Sequence, residues 1–155
     1  MVAILTTLRR WRSDSGAELV EFAIAFPLLL LVAFGIVDFG FLFQEYEVIT
    51  NAAREGARLG ALPEYGANPD NVRDRVHQYL DATNLTNPGR TVIVAPTSIV
   101  IAGQCVSTYT VTVTYPHRFS FVGGIGTYFG LGFGTSALTA TSTMRAEAAG
   151  GACGP

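Results

Sequence analysis

Three acidic residues lie in or beside the longest apolar run of the sequence. Glu18 and Glu21 stand at its start, and Asp38 is the only charged residue between Phe22 and Phe43. A carboxylate near the centre of a bilayer costs roughly 2.5–3.5 kcal/mol even on a lenient insertion scale. Each of these acids therefore needs a charged or hydrogen-bonding partner, or another protein that recognises it. They are the first candidates for a functional role.

The remaining polar residues show no catalytic pattern. His77 has Asp74 three residues before it and Asp81 four residues after it, which is the spacing of a possible metal face on a helix. Because only one of the three is a strong ligand type, a solvated charge cluster is the favoured interpretation. His117 has no partner that the sequence identifies. The sequence predicts no metal, no cofactor and no enzymatic activity.

The apolar run predicts one transmembrane helix at about residues 22–43. Its uncharged part, 22–37, would be roughly 24 Å long as a helix and the full run roughly 33 Å, which brackets a hydrocarbon core of roughly 30 Å. Residues 9–12 contain three arginines, whereas the first basic residue after the run is Arg54. The positive-inside rule then predicts a cytoplasmic N-terminus and an outer C-terminal part.

The sequence disfavours two other interpretations, a nucleic-acid-binding protein and a cleaved secretory signal. The net charge is −2 and all ten basic residues are arginine, so no basic surface suggests binding to nucleic acid. The expected partner of the apolar run is the lipid bilayer. A cleaved secretory signal is an alternative to an anchor, but the run is long for one and no small-residue cleavage site follows it.

The helix is predicted to continue outside the membrane, over residues 17–62, because no breaker occurs before Pro63. Pro27 removes a backbone donor inside it and predicts a kink or a local loosening. The outer part carries small residues at four-residue spacing, which indicate close packing against another backbone, either the protein's own sheet or a neighbouring subunit. These residues are Ala52, Ala53, Gly56, Ala57, Gly60 and Ala61.

Residues 63–155 are predicted to form a small α+β domain outside the membrane. A short helix should begin after the cap Asn68, with Pro69 in its first turn. One face of this helix is apolar and should lie on a sheet. The residues of that face are Val72, Val76, Tyr79 and Leu80.

Three strands are expected in residues 91–103, 106–119 and 135–147, as an antiparallel meander. In the second strand, Val111, Val113 and Tyr115 alternate with threonines, which is the pattern of a half-buried strand. The first strand contains Pro96, which cannot donate to a ladder, so this strand should be at an edge. A hairpin turn is expected from Ala102 to Cys105.

The two cysteines are Cys105 and Cys153, and both fall in the part predicted to be outside, where disulfides form. Antiparallel pairing of the second and third strands would bring Cys105 near residues 148–150. The intervening segment AAGGAC would then allow Cys153 to reach it. We therefore predict a disulfide between them.

A glycine-rich but apolar segment, residues 119–134, connects the second and third strands. A solvated linker would be more polar. Two interpretations remain open: the segment contacts the membrane surface or a partner subunit, or it folds over the core of its own domain.

The stretch GAELVEF resembles the processing site of type IV prepilins, with Gly16 at the cut, Ala17 as the new N-terminus, and Glu21 followed by Phe22. The longer string GAELVEFAIAFPLLLLVAFGIVDFG, followed by NAAREGARLGA, closely resembles the TadE-like family of pseudopilins of the tight-adherence pilus. VTVTYPHRF and TSALTATSTMRAE are also similar to that family's C-terminal half.

This resemblance implies a pilin-like fold and a structural role. Residues 1–16 would be a cytoplasmic leader that an aspartyl prepilin peptidase removes after Gly16. The amine of Ala17 and the carboxylate of Glu21 would then neutralise each other in the membrane, with Glu18 nearer the headgroups. Asp38 would lie at the outer border, where it reaches interfacial water or makes a contact.

The implied function is that of a minor pseudopilin in the assembly or priming of a tight-adherence pilus for surface adhesion. Its expected partners are other pilin and pseudopilin subunits, the prepilin peptidase and the inner-membrane assembly platform. Its expected location is the bacterial cytoplasmic membrane, with possible incorporation in the pilus. The alternative is a membrane-anchored extracytoplasmic binding or sensing domain that does not polymerise.

Overall fold

The computed structural model describes residues 2–66, 68–101, 103–128, 130 and 134–147, with side chains from residue 16 onwards except that of Tyr128. The described part has four helices and three strands, and it confirms the predicted α+β class. The elements are α1 (Val2–Ala61), α2 (Pro63–Gly66), α3 (Pro69–Ala82), β1 (Thr91–Ile101), β2 (Gln104–Arg118), α4 (Val122–Tyr128) and β3 (Thr135–Arg145).

The long helix α1 begins earlier than residue 17, because the predicted leader is helical and continuous with it from Val2. It ends at Ala61, one residue before the predicted end, since the residue preceding Pro63 is disfavoured in helical geometry. Pro27 lies inside α1 without interrupting it. A proline removes one backbone donor, but the helix continues on both sides of it.

The predicted start of α3 is confirmed. Asn68 is its N-cap, and its side-chain Oδ1 accepts a hydrogen bond of 3.0 Å from the backbone N–H of Asp70, with Pro69 in the first turn. Val72, Val76 and Leu80 are buried, so the apolar face that the spacing predicts does pack inward.

The sheet has the order β1-β2-β3, with both pairs antiparallel, as predicted. β1 is an edge strand, which agrees with its internal Pro96. The hairpin turn is tighter than predicted, because Ile101 pairs with Gln104 and β2 therefore begins before Cys105. Gly103 adopts a φ of 77° in this turn, a backbone region that favours glycine.

One face of the sheet is covered by the second half of α1 and by α3, and the core lies between these layers. Val111, Val113 and Tyr115 of β2 point into this core. The opposite face carries paired threonine hydroxyl groups, such as those of Thr112 and Thr141 at 3.1 Å. The alternation read from the sequence therefore assigns the two faces of β2 correctly.

All six small residues of α1 are buried within the chain itself. A Cβ added to Gly56 would lie 2.6 Å from Cγ2 of Val76 on α3 and 3.2 Å from Cγ1 of Val111 on β2. A Cβ on Gly60 would meet the ring of Tyr109 at 3.0 Å. Of the two partners left open by the sequence, the structure places the protein's own sheet and α3 against these residues.

The glycine-rich connection between β2 and β3 is not simply a loop, because residues 122–128 form the short helix α4. Glycines disfavour a helix by roughly 1 kcal/mol each relative to alanine, so local sequence gave no reason to predict one. The contacts that hold α4 come from α1.

Candidate functional site

The first half of α1 protrudes from the domain and carries large apolar side chains outward. Leu19, Ile24 and Leu28 are 69%, 75% and 66% exposed. The helix Gly16–Ala61 is long and apolar enough to cross a membrane, and the most apolar part of it is not buried by the rest of the protein. It is a candidate membrane anchor.

The residues predicted for processing all lie on this protruding half. Gly16, Ala17, Glu18, Glu21 and Phe22 are exposed, and all of them are in helical conformation. Since residues 17 and 21 are four apart, they lie on the same side of the helix, one turn from each other. The side chains around Gly16 are accessible to an enzyme that cuts there, but the enzyme would have to unwind the helix locally.

Of the two roles that the sequence leaves open for Asp38, the structure shows a contact within the chain. It is only 1% exposed, so it does not face interfacial water. Its carboxylate accepts hydrogen bonds from the backbone N–H groups of Ser120 at 3.2 Å, Phe121 at 2.9 Å and Val122 at 2.7 Å. These groups belong to the turn that enters α4, where backbone donors lack helical partners. The acid of the apolar run therefore caps a helix from another part of the chain.

Glu45 and His117 form a second contact on the same side of α1. Glu45 lies two helical turns after Asp38, and its Oε2 is 2.8 Å from Nδ1 of His117. His117 is 2% exposed, and the edge of its ring meets the ring of Phe119 at a centroid distance of 4.8 Å. Asp38 and Glu45 together fasten residues 117–122 to α1, and we call this arrangement the Asp38–Glu45 clamp.

A polar cavity of about 380 Å³ opens beside the clamp. Asp38, Glu45, His117 and Asn84 are among its lining residues. Nε2 of His117 is buried and has no hydrogen-bond partner among the described residues.

The turn into α4 packs on the outer part of the apolar run. The rings of Phe34 and Phe121 are stacked at 4.8 Å, and those of Phe39 and Phe119 meet edge to face at 6.0 Å. A Cβ on Gly35 would be 4.0 Å from Val122. The described part of the glycine-rich segment thus folds onto its own chain, at the outer part of the apolar run.

Sequence reasoning missed Glu45 and His117 as partners. The sequence identifies no partner for His117 and gives no reason to single out Glu45. Their positions differ by 72 residues, so no local spacing joins them. The only signal was that Asp38 and Glu45 are seven residues apart, which places two acids on one helical face.

The charged residues of α3 form a separate group. Arg90 Nη1 lies 2.7 Å from Oδ1 of Asp81, and this contact holds the pKa of Asp81 below its ordinary value. Burial, with a smaller contribution from Arg90, lowers the pKa of His77. Within the described ranges no group of three or more His, Cys, Asp or Glu residues could hold a metal ion.

Cys153 lies outside the described residues. The pairing of β2 with β3 places Thr108 opposite Arg145 and Arg118 opposite Thr135, which is the antiparallel arrangement assumed in predicting the disulfide. The Cys105–Cys153 bond stays a prediction.

Residues 16–58 match the sequence model of a family described as TadE-like protein. The match covers the protruding half of α1, Asp38, Glu45 and most of the small-residue face. It confirms the resemblance found in the sequence for this segment. No curated protein and no solved structure shows significant similarity to the chain.

Proposed function

We propose that the protein is a structural minor pseudopilin that takes part in the assembly or priming of a tight-adherence pilus for surface adhesion, and that it is not an enzyme. The observation that carries this proposal is the family match at residues 16–58. That segment contains both the processing stretch and the exposed apolar helix. The N-terminus would be cytoplasmic and the α+β domain outside.

The protruding half of α1 has the properties that such a subunit needs. Its exposed apolar side chains suit lipid before assembly, and afterwards they suit apolar helices of other pilus subunits. The domain is attached only to the second half of the helix, so the first half is open to partners along its length. Hydrophobic exposure of this extent is unfavourable in water and requires one of these two environments.

Cleavage after Gly16 would change the electrostatics of the helix start. Glu18 and Glu21 would then lie in its first turns, where carboxylates interact favourably with the unpaired backbone N–H groups. The new amine of Ala17 would lie one turn from Glu21. An ion pair between them, within a chain or between subunits, would remove a carboxylate charge from the membrane.

The decisive experiment determines the N-terminal residue of the protein from native membranes, with and without the prepilin peptidase, together with pilus formation by Glu21→Ala. We expect a start at Ala17 that reverts to Met1 without the peptidase. Glu21→Ala should abolish pili while the protein remains present. Glu18→Ala is the matched control and should retain most pili, because its carboxylate is nearer the headgroups.

The polar cavity beside His117 favours one other function, that of an anchored domain that binds a small polar ligand and does not polymerise. The same experiment separates the two. A start at Met1 in both strains, with pili unaffected by Glu21→Ala, would reject the pseudopilin and leave the binding domain.

A further inference from the structure

α4 occupies the end of the domain from which the apolar helix emerges. Residues 16–33 of α1 are exposed apart from the partly exposed Leu30, and beyond them Phe34 and Gly35 contact the turn before α4 and its first residue. Eighteen helical residues span roughly 27 Å, which is close to the roughly 30 Å of a hydrocarbon core. If the protruding part crosses the bilayer, α4 lies at the level where α1 leaves it.

The surface around α4 is suited to that level. Residues 119–144 contain no charged side chain. Phe121 remains 41% exposed even though it stacks on Phe34. Arg118, which is exposed, precedes this segment and offers a cation for lipid phosphates. An aromatic residue beside a cation is typical of an interfacial membrane contact.

An apolar groove joins α4 to the protruding helix. It has a volume of about 600 Å³, and its lining has almost no polar surface. Its walls are Leu31, Val32, Gly35, Ile36, Phe39 and Val122, together with Gly40 and Phe43. Because the groove is continuous with the candidate membrane span, a lipid acyl chain is the occupant that it fits best.

We propose that α4 and the turn before it form a second membrane contact, which seats the domain on the outer surface of the bilayer beside α1. The Asp38–Glu45 clamp holds this contact in place. The inference requires only that α1 is inserted in a membrane, so it goes beyond the proposed pilus role and is independent of it.

The test uses the full-length chain in phosphatidylcholine and phosphatidylglycerol vesicles. Trp11 is the only tryptophan, so Trp11→Phe gives a background in which Phe121→Trp places a fluorophore at the proposed contact and retains an aromatic ring. Phe26→Trp marks the bilayer interior. Ile101→Trp, at an exposed apolar position at the end of β1 that pairs with the start of β2, is the matched control. That end is roughly 46 Å away along the strand.

With brominated acyl chains, we expect Phe121→Trp to lose emission to an extent approaching that of Phe26→Trp, while Ile101→Trp loses almost none. Circular dichroism checks that each variant is folded. Emission from Phe121→Trp that is as insensitive to bromine as that of Ile101→Trp would overturn the inference. Quenching that disappears when the protein is concentrated in the vesicles would also overturn it, because a second copy would then cover the groove.

Adding Glu21→Ala to Phe121→Trp separates this inference from the proposed function. Quenching should be unchanged in that double variant, since Glu21 is distant from α4 and the lipid contact does not depend on pilus assembly. Loss of quenching on this substitution would contradict the independence of the contact.

Discussion

The protruding and the packed halves of α1 differ in the size of their side chains as much as in their exposure. The first half places leucine, isoleucine and phenylalanine outward, and Ile24 is 75% exposed. In the second half, Ala52 and Ala57 are completely buried, and Gly56 has no room for a Cβ. Large side chains face the place where lipid or other helices are expected, and small ones lie where the protein's own sheet approaches the helix.

The acids of the two halves differ in the same way. Glu21 is exposed and has no hydrogen-bond partner among the described residues. Asp38 is buried and saturated by three backbone donors of the same chain. The comparison teaches that acidic residues within one apolar run can differ in use: Asp38 is bonded within the fold, whereas Glu21 is left open for the assembly role that we propose for it. Three predictions test the difference between the two halves of α1, and a fourth concerns α3.

The largest effect is expected for Asp38→Ala. The substitution leaves three backbone N–H groups at the start of α4 without their charged acceptor, which should cost about 3 kcal/mol or more of the free energy of unfolding. Chemical denaturation of the full chain in detergent micelles measures it. Glu21→Ala is the matched control and should change stability by less than about 0.5 kcal/mol. Equal losses in both variants would contradict the division.

Gly56→Val should give the next largest loss. Its side chain would enter the space held by Val76 and Val111, and overpacking of this kind costs about 2 kcal/mol. Gly40→Val introduces the same side chain into the same helix where nothing lies within 4 Å. We expect thermal unfolding to show a much smaller change for Gly40→Val. If the two variants were equally unstable, helix propensity and not packing would be the cause.

A smaller loss is expected for Glu45→Ala. Without this carboxylate, neither ring nitrogen of the buried His117 has a described partner, which should cost about 1–2 kcal/mol. Glu45→Gln keeps an acceptor and should recover most of the stability. Glu47→Ala, two residues away at an exposed position, serves as the control for the helix itself. A null effect of Glu45→Ala would mean that the clamp rests on Asp38 alone.

The smallest effect concerns His77 and the pH. Its pKa is lowered from the ordinary value of 6.5 by burial and by Arg90, against the weaker opposing influence of Asp81. The unfolded chain therefore binds more protons, so stability should rise with pH through the range just below 6.5 and be lost as the pH falls there. His77→Gln should flatten this part of the stability curve, and denaturation at a series of pH values measures it. An unchanged slope would assign it to another group.

Local patterns were sufficient for most of the fold. The cap Asn68, the alternation around Val111 and Val113, and Pro96 at an edge each depend on residues close in sequence. The spacing of Gly56 and its neighbours predicted close packing but not its partner. The partner is on α3 and β2, and the sequence offered a neighbouring subunit as an equal choice.

The sequence by itself determined the helical periods, the strand alternation, the apolar run and its acids, because hydrophobicity and backbone propensity act over a few residues. Only the tertiary structure decided the use of Asp38, the pairing of Glu45 with His117, and the position of α4 on α1. The residues in these hydrogen bonds are 72 to 84 positions apart. Such contacts form when the sheet docks on the helix, and no short-range pattern encodes which buried carboxylate will meet which backbone donor.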